Sequence, residues 1–172
     1  MSNRSPLIAS EDWWAIWLAT LLIAGVVLDF ISGVPGVGRW TAAPTEAFSG
    51  RLFGLLSLGA GLVFLTTFAV QVMSRNGQRQ AVGFVPLFLL AVVAYTFANQ
   101  AQIRSTGFGY AFWALLIGLS IANTIGTPTV LKPALRTELY IKTGLVLLGA
   151  EVLFSNILEL GVPGLFVAWL VT

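Results

Sequence analysis

Long apolar runs, separated by short polar or Gly/Pro-rich connections, set the pattern of this chain. A membrane-crossing helix needs about 20 predominantly apolar residues, with a range of roughly 17–25. Five runs meet that measure, near Trp13–Ile31, Phe53–Met73, Ala81–Ala98, Gly109–Ile125 and Glu138–Leu158. A sixth, Pro163–Thr172, is still hydrophobic where it stops and is too short to span. The connection Ser32–Ser49 holds Gly33, Pro35, Gly36, Gly38 and Pro44 and is predicted to be irregular. Ser74–Gln80 reads as a polar turn and Asn99–Phe108 as a polar connection. Pro86 is expected as an early kink or first-turn residue of its helix. Pro133 is expected in the first turn of the fifth helix, where its missing N–H does no harm.

Composition sharpens this into a class. The chain is 57% hydrophobic and only 9% charged, whereas soluble domains carry about 25% charged residues. The predicted fold is therefore all-α: a polytopic transmembrane bundle of five complete spans plus a truncated sixth, in one transmembrane domain over residues 1–172. An odd, unfinished count makes the chain the expected N-terminal portion of a longer protein. The acidic pair Glu11 and Asp12 precedes a first run that is too long for a signal-peptide core, so that run is expected to stay attached as a helix. Trp13, Trp14 and Trp17 suit an interfacial aromatic belt.

Charge then orients the bundle. Alternating the loops puts Arg4, Arg75, Arg79, Lys132 and Arg136 on the N-terminal side, with Lys142 just inside it; Arg39, Arg51 and Arg104 fall on the other. The positive-inside rule places the N-terminus on the cytoplasmic side of the membrane. With basic residues so scattered, no nucleic-acid partner is expected. The chain has no cysteine and no histidine, which excludes disulfides, Cys or His metal sites and His-dependent triads. The segment GVPGVG near Gly33 follows no predicted strand and is no phosphate loop. No cofactor and no metal are expected.

The candidate chemistry lies between Gly118 and Glu151. Glu151 is flanked by LVLLGA and VLFS, and even permissive scales charge about 2.5–3.5 kcal/mol for an acid at the centre of a membrane helix. It therefore reads either as an ion-binding or proton-relaying carboxyl, or as a hydrogen-bonded tie between helices. Gly144, Leu148 and Ser155 share its face. Lys142 lies nine residues earlier, half a circle round the helix from Glu151. It follows Glu138 by one turn in the favourable Glu-before-Lys order. A snorkelling surface pair is the simpler reading, and a cation attracting an anionic solute the sharper one. Asn123 and Thr124 close the fourth helix, either as a plain C-terminal cap or as solute ligands at a discontinuous helix end. Asp29 reads as interfacial, and Tyr110, Trp113 and Trp169 as belt or packing residues. Small residues at Gly50, Gly54, Ser57 and Gly61, and at Ala114, Gly118 and Ala122, would let helices approach closely.

WALLIGLSIANTIG (Trp113–Gly126), LKPALRTELYIKTGLVLLGAE (Leu131–Glu151) and ILELGVPGL (Ile157–Leu165), with the opening SEDWWAIWLATLLI (Ser10–Ile23), resemble the YeiH-type sulfate-exporter family of bacterial membrane proteins. The resemblance implies a secondary-transporter-like fold of two inverted, related halves in the bacterial inner membrane, and export of a small anion such as sulfate or an organosulfonate. Asn123, Thr124, Lys142 and Glu151 are then the expected substrate- or ion-binding residues. The lipid bilayer and the anion are the expected partners, and further copies or a missing C-terminal half would supply the absent helices. A non-transporting scaffold or assembly subunit, packing through the small-residue faces, is the competing reading. An intramembrane enzyme is not expected, because no second carboxylate stands at matching depth. Nor does any filter-like loop signal a channel.

Overall fold

A computed structural model of the chain describes residues 10–31 and 33–152. The truncated run 163–172, the end of the fifth span up to 158, and Arg4, Ser155 and Trp169 lie outside the described residues. The described part is helical: α1 (Glu11–Val27), α2 (Leu52–Ser74), α3 (Gly77–Ala98), the short α4 (Ala101–Ser105), α5 (Tyr110–Thr124) and a sixth helix, α6, described over 137–152. Two 3-10 turns, Pro44–Phe48 and Lys132–Ala134, interrupt the connections. With 23 and 22 residues, α2 and α3 are long and apolar enough, by length and composition, to cross a membrane. With 15 residues, α5 is shorter; at 1.5 Å per residue it reaches about 22 Å against a hydrocarbon core of about 30 Å.

By its contacts the chain forms two compact units. One holds residues up to 31 together with those from 136 onward, and the other residues 32–135.

The second unit is built around the α2–α3 hairpin. α2 ends because Arg75 takes a left-handed conformation (φ 57°), its N–H donating to the Gln71 carbonyl. The Gln71 side chain then reaches past the turn and accepts the Gly77 N–H at 2.9 Å. That cap starts α3 at Gly77, so the turn expected over Ser74–Gln80 shrinks to Arg75–Asn76, and Gln80 is a fully buried helical residue. Pro86 is the tenth residue of α3, not a first-turn residue. The close approach of the two helices is at Gly59, where a Cβ would stand 2.7 Å from the Phe88 ring. Of the glycines singled out by spacing, Gly54 meets Pro35 of the preceding loop and Gly61 meets nothing.

At the far end of α3, the connections meet. Trp40 pairs its backbone with Asn99 and Ala101, and its indole N–H donates to the Thr96 carbonyl at 2.7 Å. The Asn99–Phe108 connection is not wholly irregular: the Gln100 side chain caps α4 by accepting the Ile103 N–H at 2.7 Å. α5 returns along α3 through aromatic stacking, Tyr110 on Tyr95 with centroids 4.6 Å apart and Trp113 on Phe97 at 5.3 Å. Tyr110 and Trp113 are thus packing residues.

At the near end, the segment after α5 folds back onto α3. A Cβ on Gly83 would fall 2.5 Å from the Val130 carbonyl and 3.0 Å from the Ala134 methyl, so only glycine admits this backbone. Leu135 (φ −77°, ψ 60°) ends the turn that carries Pro133. Pro133 therefore belongs to a separate 3-10 turn and not to the first turn of the following helix.

In the first unit, Ser10 caps α1 by accepting the Trp13 N–H. Ala15, Leu18 and Ala19 form its buried face. Asp29 follows the helix in a left-handed conformation (φ 59°) and is exposed, a conformation that Asp tolerates better than most side chains.

Candidate functional site

The residues singled out by sequence fall in both units, Asn123 and Thr124 in one, Lys142 and Glu151 in the other.

α5 ends where apolar helix gives way to SIANTIGTPT. Ile125 caps it and Gly126 takes the left-handed conformation (φ +74°) that turns the chain away. The hydroxyls along this last turn are spent locally: Ser120 donates to the Leu116 carbonyl and Thr124 to the Ser120 carbonyl, both at 2.7 Å. Thr124 keeps its lone pairs for an incoming donor. The Asn123 amide is exposed and makes no hydrogen bond to a described residue. Ala114, Gly118 and Ala122, one above another on this helix, are exposed, and a Cβ on Gly118 would meet nothing.

In the other unit, the start of α1 and the start of α6 are joined by charge. Arg136 binds Glu11 at 2.6 Å, and the Lys142 ammonium sits between Asp12 at 2.6 Å and Glu138 at 3.0 Å. The Glu138–Lys142 pair is the one read from the spacing. Asp12 was not foreseen, although Glu11 and Asp12 stand at the membrane end to which loop alternation brings Arg136 and Lys142. Both acids also lie in the first turn of α1, where the helix dipole favours negative charge. With two carboxylates around one ammonium, the immediate surroundings of Lys142 carry net negative charge.

Glu151 lies nine residues beyond Lys142, about 13.5 Å further along the axis at 1.5 Å per residue. It is exposed, and among the described residues no side chain pairs with it. The tie between helices that could explain a buried glutamate is therefore not supplied by the described residues.

The segment after α5 makes one further feature that sequence reading missed. Gln78, Arg79 and Val82 of α3 and Thr129, Val130 and Pro133 line a groove of about 460 Å³. Its signal was the coincidence of Arg79 and Lys132 at one end of the bundle.

A family described as Conserved hypothetical protein 698 matches residues 82–172, from the second turn of α3 onward. The chain is 50% identical over 135 residues to a UPF0324 membrane protein of Rhodopirellula baltica, which covers 78% of this chain and 25% of the relative. It is 48% identical over 129 residues to one of Nitratidesulfovibrio vulgaris, covering 74% of this chain and 22% of the relative. A third, from Nitrosomonas europaea, is 27% identical over 212 residues, covering 96% of this chain and 42% of the relative. The chain thus spans about a quarter of the length of the first two relatives, with coverages of 25% and 22%. No solved structure matches it.

Proposed function

Because this chain belongs to the Conserved hypothetical protein 698 family, the YeiH-type membrane proteins that its sequence resembles, we propose that it is part of a secondary transporter exporting a small anion such as sulfate. The observation that carries the reading is Glu151: an exposed carboxyl, without a partner among the described residues, in an apolar stretch of α6. A group so costly to place in lipid is expected to face protein or a water-filled path, where it binds or relays a coupling proton. Asn123, through its amide N–H groups, and Thr124, once its hydroxyl turns from the Ser120 carbonyl, are proposed as solute ligands at the end of α5. That helix is too short to span and is followed by irregular backbone packed on α3, as in carriers built on broken helices. Lys142 enters as a cation that an arriving anion shares by displacing Asp12, the partner from the other helix.

The bacterial inner membrane, an N-terminus on the cytoplasmic side, an inverted-repeat architecture completed by further helices or copies, and a role that is not enzymatic belong to the same proposal. The orientation is supported by the ends at which cations gather: Arg75, Arg79, Lys132, Arg136 and Lys142 against Arg39, Arg51 and Arg104. The open Ala114–Gly118–Ala122 face favours the second reading, a scaffold that packs a partner helix.

Sulfate flux into and out of proteoliposomes, with and without a pH gradient, decides between them. The carrier reading expects gradient-driven flux that Glu151→Gln abolishes while reconstitution is unchanged. Equal flux in Glu151→Gln would remove the proton role, and absence of flux in the full-length protein would leave the scaffold.

A further inference from the structure

We infer that the groove beside Arg79 holds the headgroup of an anionic phospholipid, of the phosphatidylglycerol type, at the membrane end where α3 begins.

Charge is the first observation. Between residues 33 and 135 the chain has six cations, Arg39, Arg51, Arg75, Arg79, Arg104 and Lys132, and a single acid, Glu46. Glu46 lies in the connection before α2, whose Trp40 is bound at the C-terminal end of α3. α3 has 22 residues, so its two ends are about 33 Å apart at 1.5 Å per residue. No acid of this unit therefore reaches Arg75, Arg79 or Lys132. None of the three side chains makes a hydrogen bond or ion pair with a described residue. Arg136 and Lys142, by contrast, are neutralised by Glu11, Asp12 and Glu138.

Shape is the second. The groove is amphipathic in the sense a lipid requires. Arg79, Gln78 and Thr129 offer hydrogen-bonding groups, and Val82, Val130 and Pro133 line the rest with carbon. Lys132 is exposed in the turn that forms one wall. That wall lies close against α3, where a Cβ on Gly83 would stand 2.5 Å from the Val130 carbonyl. A guanidinium binds phosphate oxygens through two parallel N–H donors, and the apolar floor accepts the start of an acyl chain. A freely diffusing anion would satisfy Arg79 but leave that floor uncovered, which is why a lipid headgroup is the favoured occupant. Basic pockets at helix ends beside the leaflet are a general means of holding anionic headgroups. The inference does not rest on transport, and failure of sulfate flux would leave it standing.

The test is native mass spectrometry of the whole chain released from nanodiscs containing equal amounts of phosphatidylglycerol and phosphatidylcholine. The expected result is preferential retention of phosphatidylglycerol, reduced by raising salt. One juxtamembrane cation contributes about a fivefold preference, so Arg79→Gln is expected to lower it by about that factor and Arg79→Gln with Lys132→Gln by more than tenfold. Arg39→Gln, at the opposite end, is expected to leave it unchanged. Circular dichroism accompanies each variant; because the substituted side chains are exposed and unpaired, helical content is expected to stay constant. Three results would overturn the inference: no preference in the unmodified chain, equal loss in Arg39→Gln and Arg79→Gln, or full displacement of the lipid by millimolar inorganic phosphate. The last would mean that a small free anion is the ligand.

Discussion

Gly83→Ala tests the packing on which both the broken segment and the groove depend. The added methyl would stand 2.5 Å from the Val130 carbonyl oxygen and 3.0 Å from the Ala134 Cβ. Neither neighbour is the tip of a flexible side chain, so the backbone of residues 130–134 has to move off α3. Overpacking of this kind costs about 1–3 kcal/mol. Against it, replacing glycine by alanine inside a helix gains about 1 kcal/mol. The same gain is available at Gly61 of α2, where a methyl would meet nothing within 4 Å. The informative quantity is therefore the difference between Gly83→Ala and Gly61→Ala, expected at about 1–3 kcal/mol, the clash alone. Unfolding of the detergent-solubilised protein by added denaturing detergent, followed by tryptophan fluorescence and circular dichroism, measures both variants on one scale. Trp113 and Trp40 report from the same unit. If Gly83→Ala is as stable as Gly61→Ala, the 129–134 segment does not lie on α3 as described, and the site arguments that use it fall together.

Two other perturbations follow from hydrogen bonds in the connections. Trp40→Phe removes the indole donor to the Thr96 carbonyl and leaves a smaller aromatic ring; it is expected to cost at least about 1 kcal/mol in the same titration and to raise hydrogen exchange around Thr41–Ser49. The Glu46 carboxylate accepts the Thr41 N–H at 3.1 Å and its hydroxyl at 3.4 Å. The backbone bond from Thr41, with help from Ala42 and Ala43 and against some desolvation, holds its pKa below the ordinary carboxylate value. Since the folded pKa is the lower one, the contribution is complete above the unfolded pKa and disappears as pH falls through the folded value. Protease resistance of the 40–49 connection is expected to drop across that acidic window, and Glu46→Gln to abolish the pH dependence. A Glu11→Gln, Arg136→Met double-mutant cycle is expected to give a coupling of about 0.5–1 kcal/mol that shrinks in high salt.

The helices were legible because hydrophobic runs of this length have few other uses, and their ends were legible where local chemistry decides them, as at Gly126. The errors came where a side chain several residues away decides. Gln71 caps Gly77 across the turn, so four residues that read as polar loop are helix. Leu135 takes a backbone conformation that no composition rule foretells, which separates Pro133 from α6. Spacing of small residues was a poor guide to contact: Gly59, against Phe88, does what Gly54 and Gly61 were expected to do. Pattern shows which helix faces could meet, and only the partner's side chains select among them.

The site shows the same limit in electrostatic form. Sequence spacing finds Glu138 for Lys142 because the two are four residues apart, and it cannot weigh Asp12, 130 residues away. Yet Asp12 changes what Lys142 is able to do. A lone cation at a membrane end attracts an anion; a cation between two carboxylates presents net negative charge and must give one up first. The free positive charge at that end of the chain's topology is instead Arg75, Arg79 and Lys132, which sequence reading had treated only as an orientation signal. Charge that remains unpaired after folding is available for a ligand, and which charges remain unpaired is decided by the fold. That reasoning makes the cations beside the groove on α3 the ones free for a lipid headgroup, leaves Lys142 open to an anion only when a carboxylate is displaced, and leaves Glu151, still unpaired among the described residues, as the carboxyl for which a coupled proton is the natural partner.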